Sequence, residues 1–192
     1  MAVKTFPAPP ICQREILRYA GCREADAETL SLMENCLLEA ENKLSYRVCY
    51  EVFPVEICGK CCDFGAFSVN SEQLAKLLSD CRQVIVFGAT VGIGLDRLIQ
   101  KYSRISPAKA LMLQAIGTER IEALCDAFCE FLQKEKKLTL RPRFSPGYGD
   151  LPLEIQGDIF TQLNCEKQIG LFLNDSLLMS PTKSVTAFLG VE

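Results

Sequence analysis

Residues 107–135 carry the pattern that most constrains this chain: one helical period that runs on without a break. Pro107 suits the first turn, where a helix has no use for the N–H that proline lacks. Ile121, Leu124, Cys125, Phe128 and Leu132 fall on one face. Glu122, Asp126 and Glu130 fall on a neighbouring face at i, i+4, i+8. Lys134, Lys136 and Lys137 then complement the negative helix end. This predicts the longest helix of the chain.

Shorter elements flank it. The first ten residues are Pro-rich and are expected to lie extended, and residues 11–20 read as a short helix ended by Gly21. A second helix is predicted over 26–43, with Leu30, Met33, Leu37 and Leu38 at helical spacing. Tyr46–Ile57 is β-branched and aromatic, a strand or hairpin arm that Pro54 breaks or places on an edge. Residues 58–67 read as a turn-rich connection, and Ser71 as the cap of a helix reaching about Cys81. Val84–Gly88 suits a buried strand, and residues 95–102 a helix. Asp150 and Pro152 look like the cap and first-turn proline of a helix over 153–166. Leu171–Leu178 and Ser184–Leu189 are further strand candidates. Strands separated by unequal helices imply an α+β fold, with helices packed on a mainly antiparallel sheet.

Composition sets the outer limits. The chain has 192 residues, 48% hydrophobic and 23% charged, enough for one domain with its own core or at most two small ones. A net charge of −3 with mixed signs argues against a nucleic-acid partner. No run of about 18 apolar residues is present, so no membrane helix is expected. MAVKTFPAPP lacks an apolar core, so we expect no secretory signal. The 11 cysteines then read as reduced thiols, which implies a cytoplasmic location. There is no histidine, which removes His-based acid–base catalysis, Ser-His and Cys-His pairs and His metal sites.

Four features carry candidate chemistry. FGATVGIGLD (87–96) reads as a tight strand-to-helix turn or as a phosphate cradle, although it lacks the GK[ST] ending and the G-x-G-x-x-G spacing. Cys58, Cys61 and Cys62 offer one C-x-x-C pair, either simple reduced thiols or a metal or redox site. The stripe Glu122, Asp126, Glu130 reads as a solvated face or as a source of a carboxylate for a ligand ammonium. The stretch Arg143-Phe-Ser-Pro-Gly-Tyr148 reads as a Pro/Gly turn or as a ligand loop. In the second reading the Arg143 fork grips a carboxylate. Phe144 and Tyr148 offer aromatic surface to a sulfonium or an adenine. These groups match the parts of S-adenosylmethionine.

R-x-x-x-G-Y, here Arg143, Gly147 and Tyr148, resembles the S-adenosylmethionine-binding motif of the activation domain of cobalamin-dependent methionine synthase. IEALCDAFCEFL (121–132) is similar to the family helix before that motif, and LLMSPTKSVTAFLG (177–190) to its closing Met-Pro-Ser-Val stretch. VIVFGATVGIG (84–94) matches more loosely, so the resemblance covers about residues 80–190. It implies a C-shaped α+β domain with a twisted antiparallel sheet. Residues 1–70 would be a helical and strand segment packed on the same unit, and 71–192 the cofactor-binding core.

By the same resemblance, Arg143 would hold the cofactor carboxylate. Phe144, Ser145, Pro146, Gly147 and Tyr148 would hold the adenine and amine largely by backbone. Asp126, or its neighbour Glu122, would be the acidic contact, and Ser184 and Val185 would border the cleft. The function implied is stand-alone reactivation. S-adenosylmethionine would donate its methyl group for reductive methylation of cob(II)alamin on a corrinoid methyltransferase such as methionine synthase. A flavodoxin-like or ferredoxin-like donor would supply the electron, and cobalamin would enter only through the partner. The chain carries no methyltransferase, folate or cobalamin module, and no counterpart of the family's later tyrosine near the cobalt. Two other readings stand beside this one. One is a small-molecule-binding or scaffold module that keeps the fold without the chemistry. The other is a metal or redox protein built on Cys58, Cys61 and Cys62.

Overall fold

A computed structural model describes residues 1–22 and 24–192. The elements run β1 (Ala2–Phe6), α1 (Gln13–Tyr19), α2 (Ala27–Glu41), β2 (Tyr46–Pro54), β3 (Glu56–Cys58), β4 (Cys61–Asp63), β5 (Ser68–Asn70) and α3 (Glu72–Leu78). They continue with β6 (Gln83–Thr90), α4 (Ile93–Ile105), α5 (Pro107–Glu135), a 3-10 turn at Leu153–Ile155, α6 (Gln156–Leu163), α7 (Cys165–Ile169), β7 (Phe172–Leu173), β8 (Met179–Ser180) and β9 (Ser184–Val191). The main sheet has the order β1-β2-β6-β9 and every pair in it is antiparallel. The fold is therefore α+β, an antiparallel sheet between helices.

The sheet buries both faces, and period-two alternation sends neighbouring side chains into different cores. Ile85, Phe87 and Ala89 of β6 face α1, α2, α4 and α5. Val84 and Val86 face the small β3-β4-β5 sheet with α3, α6 and α7. This is why β6 reads as an unbroken apolar run rather than an alternating one. Among the described residues, no helix is long and apolar enough to cross a membrane.

Helix α5 spans Pro107–Glu135, as its periodicity predicts. Its most buried polar group is Arg120, 1% exposed. Nε donates to Glu119 Oε2 and Nη2 to Glu119 Oε1, each at 2.5 Å. Nη1 and Nη2 donate to the Pro9 and Pro10 carbonyls at 2.6 and 2.7 Å. Glu119 Oε1 also accepts from the Cys12 N–H at 2.9 Å. The Pro-rich start is thereby tied to α5, and Ala2–Phe6 is held as an edge strand against β2. The sequence predicts an extended segment there, and the pairing is supplied by the sheet.

Other differences have local causes. Residues 58–67 are not a plain connection: Gly59-Lys60 turns the hairpin of β3 and β4, and residues 64–67 lead on to β5. The helix expected over 153–166 begins as a 3-10 turn and breaks at Asn164, whose φ of 45° ends α6. The strand expected over 171–178 shrinks to β7, because Asn174 Oδ1 accepts from the Ser176 and Leu178 N–H groups and bends the chain. Asp150 does not cap the helix after it but the start of α3, described below.

The 87–96 stretch takes its tight-turn form. The Val91 N–H donates to the Lys183 carbonyl at 3.2 Å, and the Gly92 N–H to Thr90 Oγ1 at 3.1 Å. A Cβ at Gly94 would collide with the Lys43 backbone carbonyl. The glycines let this turn pack against residues 43–45, and two of its N–H groups are already used.

Glu119→Ala should leave Arg120 buried without its carboxylate. We expect a loss of about 3 kcal/mol in unfolding free energy, read by urea denaturation. A change within about 0.5 kcal/mol, the scale of an ordinary surface substitution, would show that the pair does not hold the arm.

Candidate functional site

Arg143 lies on a short extended segment that runs antiparallel to the outer edge of β9. Leu140 bridges Val191, and Phe144 bridges Phe188. Phe144 and Phe188 exchange both backbone hydrogen bonds, at 3.0 and 2.9 Å. This pairing places the Arg143 side chain over α5. Its Nη2 donates to Glu122 Oε2 at 3.1 Å and lies 2.9 Å from Asp126 Oδ1. Its other donors meet no carboxylate or carbonyl among the described residues. The structure thus brings Arg143, Glu122 and Asp126 together from positions about twenty residues apart. Glu130, the third member of the stripe, pairs with Lys134 instead.

Below this cluster, burial pushes the Cys125 thiol up to about 12, so it stays neutral and acts as core. Glu122 and Asp126 also line a groove of about 660 Å³ between α5 and residues 6–10.

Beyond Phe144 the chain turns. The Gly147 N–H donates to the Leu151 carbonyl, the Tyr148 N–H to the Ser145 carbonyl and the Leu151 N–H to the Tyr148 carbonyl. Gly147 has φ of 80°, a conformation that L side chains rarely adopt, and Leu153 packs against the place where its Cβ would be. Pro146 is buried. Tyr148 is 68% exposed, with its ring edge-on to Phe144 at 5.7 Å. A large aromatic side chain held this far out of the core is available for contact.

Asp150 anchors the loop to a distant element. Oδ1 accepts from the Ser71 hydroxyl at 2.5 Å, and Oδ2 from the Glu72 N–H at 2.6 Å. Ser71 Oγ in turn accepts from the Leu74 N–H at 3.0 Å. The Ser71 hydroxyl first, then the backbone N–H groups, holds the Asp150 carboxyl below its ordinary pKa.

Ser184 and Val185 open β9, four and three residues before Phe188. Ser184 is buried, and its hydroxyl donates to the Pro181 carbonyl and accepts from the Thr90 hydroxyl, both at 2.8 Å. Val185 packs at the edge of the core on the α5 side. Neither makes a polar side-chain contact to Arg143. They share the loop's strand edge rather than its hydrogen bonds.

Sequence reasoning passed over Thr186. It is 2% exposed and its Oγ1 has no hydrogen-bond partner. Strand alternation points its N–H and C=O outward, as at Phe188, but the facing segment has already turned away. Among the described residues no strand pairs with the outer edge of β9 at Thr186, yet the residue is covered by its neighbours. The available signal was its place in the Ser-Val-Thr run. Lys183, just before it, donates to Thr118 Oγ1 at 3.0 Å, and burial lowers its pKa.

The cysteine motif divides. Cys58 and Cys61 stand opposite each other across the β3-β4 turn. Cys62 points to the other face, fully buried, and burial pushes its thiol up to about 11. Among the described residues, no three His, Cys, Asp or Glu side chains gather as a metal ion would need.

The fold as a whole is similar to the crystal structure of the MetH reactivation domain bound to AdoHcy. The TM-score is 0.72 and the identity 15%, over 99% of this chain and 78% of that one. No family model and no curated protein sequence matches the chain. At that identity the likeness is one of fold.

Asp150→Ala should lower the melting temperature at neutral pH. Because the folded-state pKa is depressed, the contribution is complete above the unfolded value and is lost as pH falls through the folded one. Melting curves of both proteins should therefore converge in acid. A gap that persists at low pH would assign the effect to something other than the carboxylate.

Proposed function

We propose that this chain binds S-adenosylmethionine beside the outer edge of β9, at Arg143 and the Phe144–Tyr148 loop. It would then present the methyl group for reductive methylation of cob(II)alamin on a corrinoid methyltransferase such as methionine synthase. The observation that carries the reading is the meeting of Arg143 with Glu122 and Asp126 beside the exposed Phe144–Tyr148 loop. The likeness of fold to a domain bound to AdoHcy supports it.

The residues present fit the ligand. The free donors of Arg143 suit a two-point grip on its carboxylate. The Glu122 and Asp126 carboxyl groups, both open to solvent, suit its ammonium. Phe144 and Tyr148 suit the sulfonium and the adenine face. Thr186 Oγ1, buried on the same edge, has no hydrogen-bond partner among the described residues.

S-adenosylmethionine supplies an electrophilic methyl group. The cobalt that takes it and the electron that drives the step come from a cobalamin-binding module and a flavodoxin-like or ferredoxin-like donor. This chain contributes orientation and fixed charge, which requires no proton transfer from its side chains and accords with the lack of histidine. Phe144, Ser145, Pro146, Gly147 and Tyr148 hold the ligand, with Ser184 and Val185 at its border.

Calorimetric titration of the reduced protein with S-adenosylmethionine and with AdoHcy tests the reading. We expect micromolar to sub-millimolar binding of both. Arg143→Ala should weaken it by about 1.5–3 kcal/mol, the worth of a charged hydrogen-bond pair. Tyr148→Ala should weaken binding while leaving unfolding within about 0.5 kcal/mol of the parent, because the side chain is exposed. Unchanged affinity in Arg143→Ala would break the residue assignment. Binding that never supports methylation of a corrinoid partner would favour a module that keeps the fold alone.

A further inference from the structure

We propose that Cys58 and Cys61 form a surface dithiol that undergoes exchange with small disulfides of the glutathione class and closes to an intramolecular disulfide. The inference does not depend on ligand binding at β9.

The argument begins with register. Cys58 and Cys61 are directly opposed in the antiparallel β3-β4 pair, with only Gly59-Lys60 between them. Opposed residues in such a pair have Cα atoms about 4.5–5.5 Å apart. Disulfides use Cα separations of about 4.4–6.8 Å. Directly opposed residues also project from the same face of the ribbon. Closure therefore asks for side-chain rotation and a local approach of the two Cβ atoms, from about 4.5–5.5 Å in an opposed pair to about 3.5–4.5 Å in a disulfide.

The ribbon is held in that geometry from below. Cys62, Phe64 and Val69 lie in the core, with the Phe64 ring stacked on Phe188 at 5.3 Å. The turn itself is fixed from the side, where the Lys60 carbonyl accepts from the Ser71 N–H at 2.9 Å. A turn anchored at both ends presents its second thiol to any adduct on the first, so the closing step is intramolecular and fast.

Access separates this pair from the other thiols. Cys58 is exposed and Cys61 half-buried. Cys49 and Cys165 have sulfurs 3.7 Å apart, but both are fully buried over Gly88, where a Cβ would press on both sulfurs. That closer pair is shielded from reagents while the fold is intact. Cys36, Cys81 and Cys125 are also buried, and Cys12 is exposed without an opposed thiol.

The chemistry balances. The Cys58 thiolate attacks one sulfur of glutathione disulfide, that S–S bond breaks, and one glutathione thiolate leaves and is protonated. The Cys61 thiolate then attacks the Cys58 sulfur and expels the second glutathione. Two protein thiols are oxidised to one disulfide, and one small disulfide is reduced to two thiols.

The experiment treats the native full chain with glutathione disulfide, blocks the remaining thiols by alkylation and measures intact mass and peptide linkage. We expect two fewer alkyl groups than on the untreated chain blocked in the same way, a Cys58–Cys61 linkage and full reversal by dithiothreitol. Cys61→Ser should instead stop at a stable glutathione adduct on Cys58. Both thiols remaining free, a glutathione adduct that persists on the unmodified chain, or a linkage mapped to Cys49–Cys165 would each overturn the proposal.

Discussion

The buried ion pair of Glu119 and Arg120 is the contact on which the rest of this structure depends. A guanidinium 1% exposed is tolerable only when its donors are met. Here Glu119 meets it from the same helix, and the Pro9 and Pro10 carbonyls meet it from the start of the chain. The consequence reaches beyond the pair. The arm that supplies those carbonyls continues into β1, and the Cys12 N–H bonded to Glu119 opens α1. One charge on α5 thus fixes both an edge strand and a helix.

A second arginine uses the same helix in the opposite way. Arg120 is closed and surrounded by partners. Arg143 stands a quarter exposed over Glu122 and Asp126, with a single nitrogen serving both carboxylates. The first arrangement organises the fold. The second leaves hydrogen-bonding capacity at the surface, next to the outer strand of the sheet. Asp150 then ties the loop carrying Tyr148 to the start of α3, so the exposed tyrosine sits on an anchored turn. Pieces from α5, the 143–150 loop, β9 and α3 converge although none is adjacent in sequence.

Local pattern was informative where local forces dominate. Helix α5 was legible from Pro107 and its apolar period, α2 from the helical spacing of Leu30, Met33, Leu37 and Leu38, and β6 from its apolar run. Arg143 and the Gly147-Tyr148 turn were legible as a motif, and the i, i+4 spacing placed Glu122 and Asp126 on one side of their helix. Pattern misled where a side chain found a remote partner. Asp150 precedes a helix and looks like its cap, yet its oxygens serve Ser71 and Glu72 instead. Asn164 and Asn174 interrupt predicted elements through a left-handed turn and a side-chain-to-backbone bend. Such local bonds compete with helix and strand on nearly equal terms.

The sequence by itself determined the α+β class, the long central helix, the absence of histidine chemistry and the candidate residues of the 143–148 loop. Each of these rests on spacing along the chain or on residue identity. Only the tertiary structure decided that Ala2–Phe6 joins the main sheet and that Cys62 parts from Cys58 and Cys61. It alone decided that Thr186 lies buried with an unmet hydroxyl. Strand order, burial and the pairing of distant charges arise from contacts between segments far apart in the chain, and no local period encodes those.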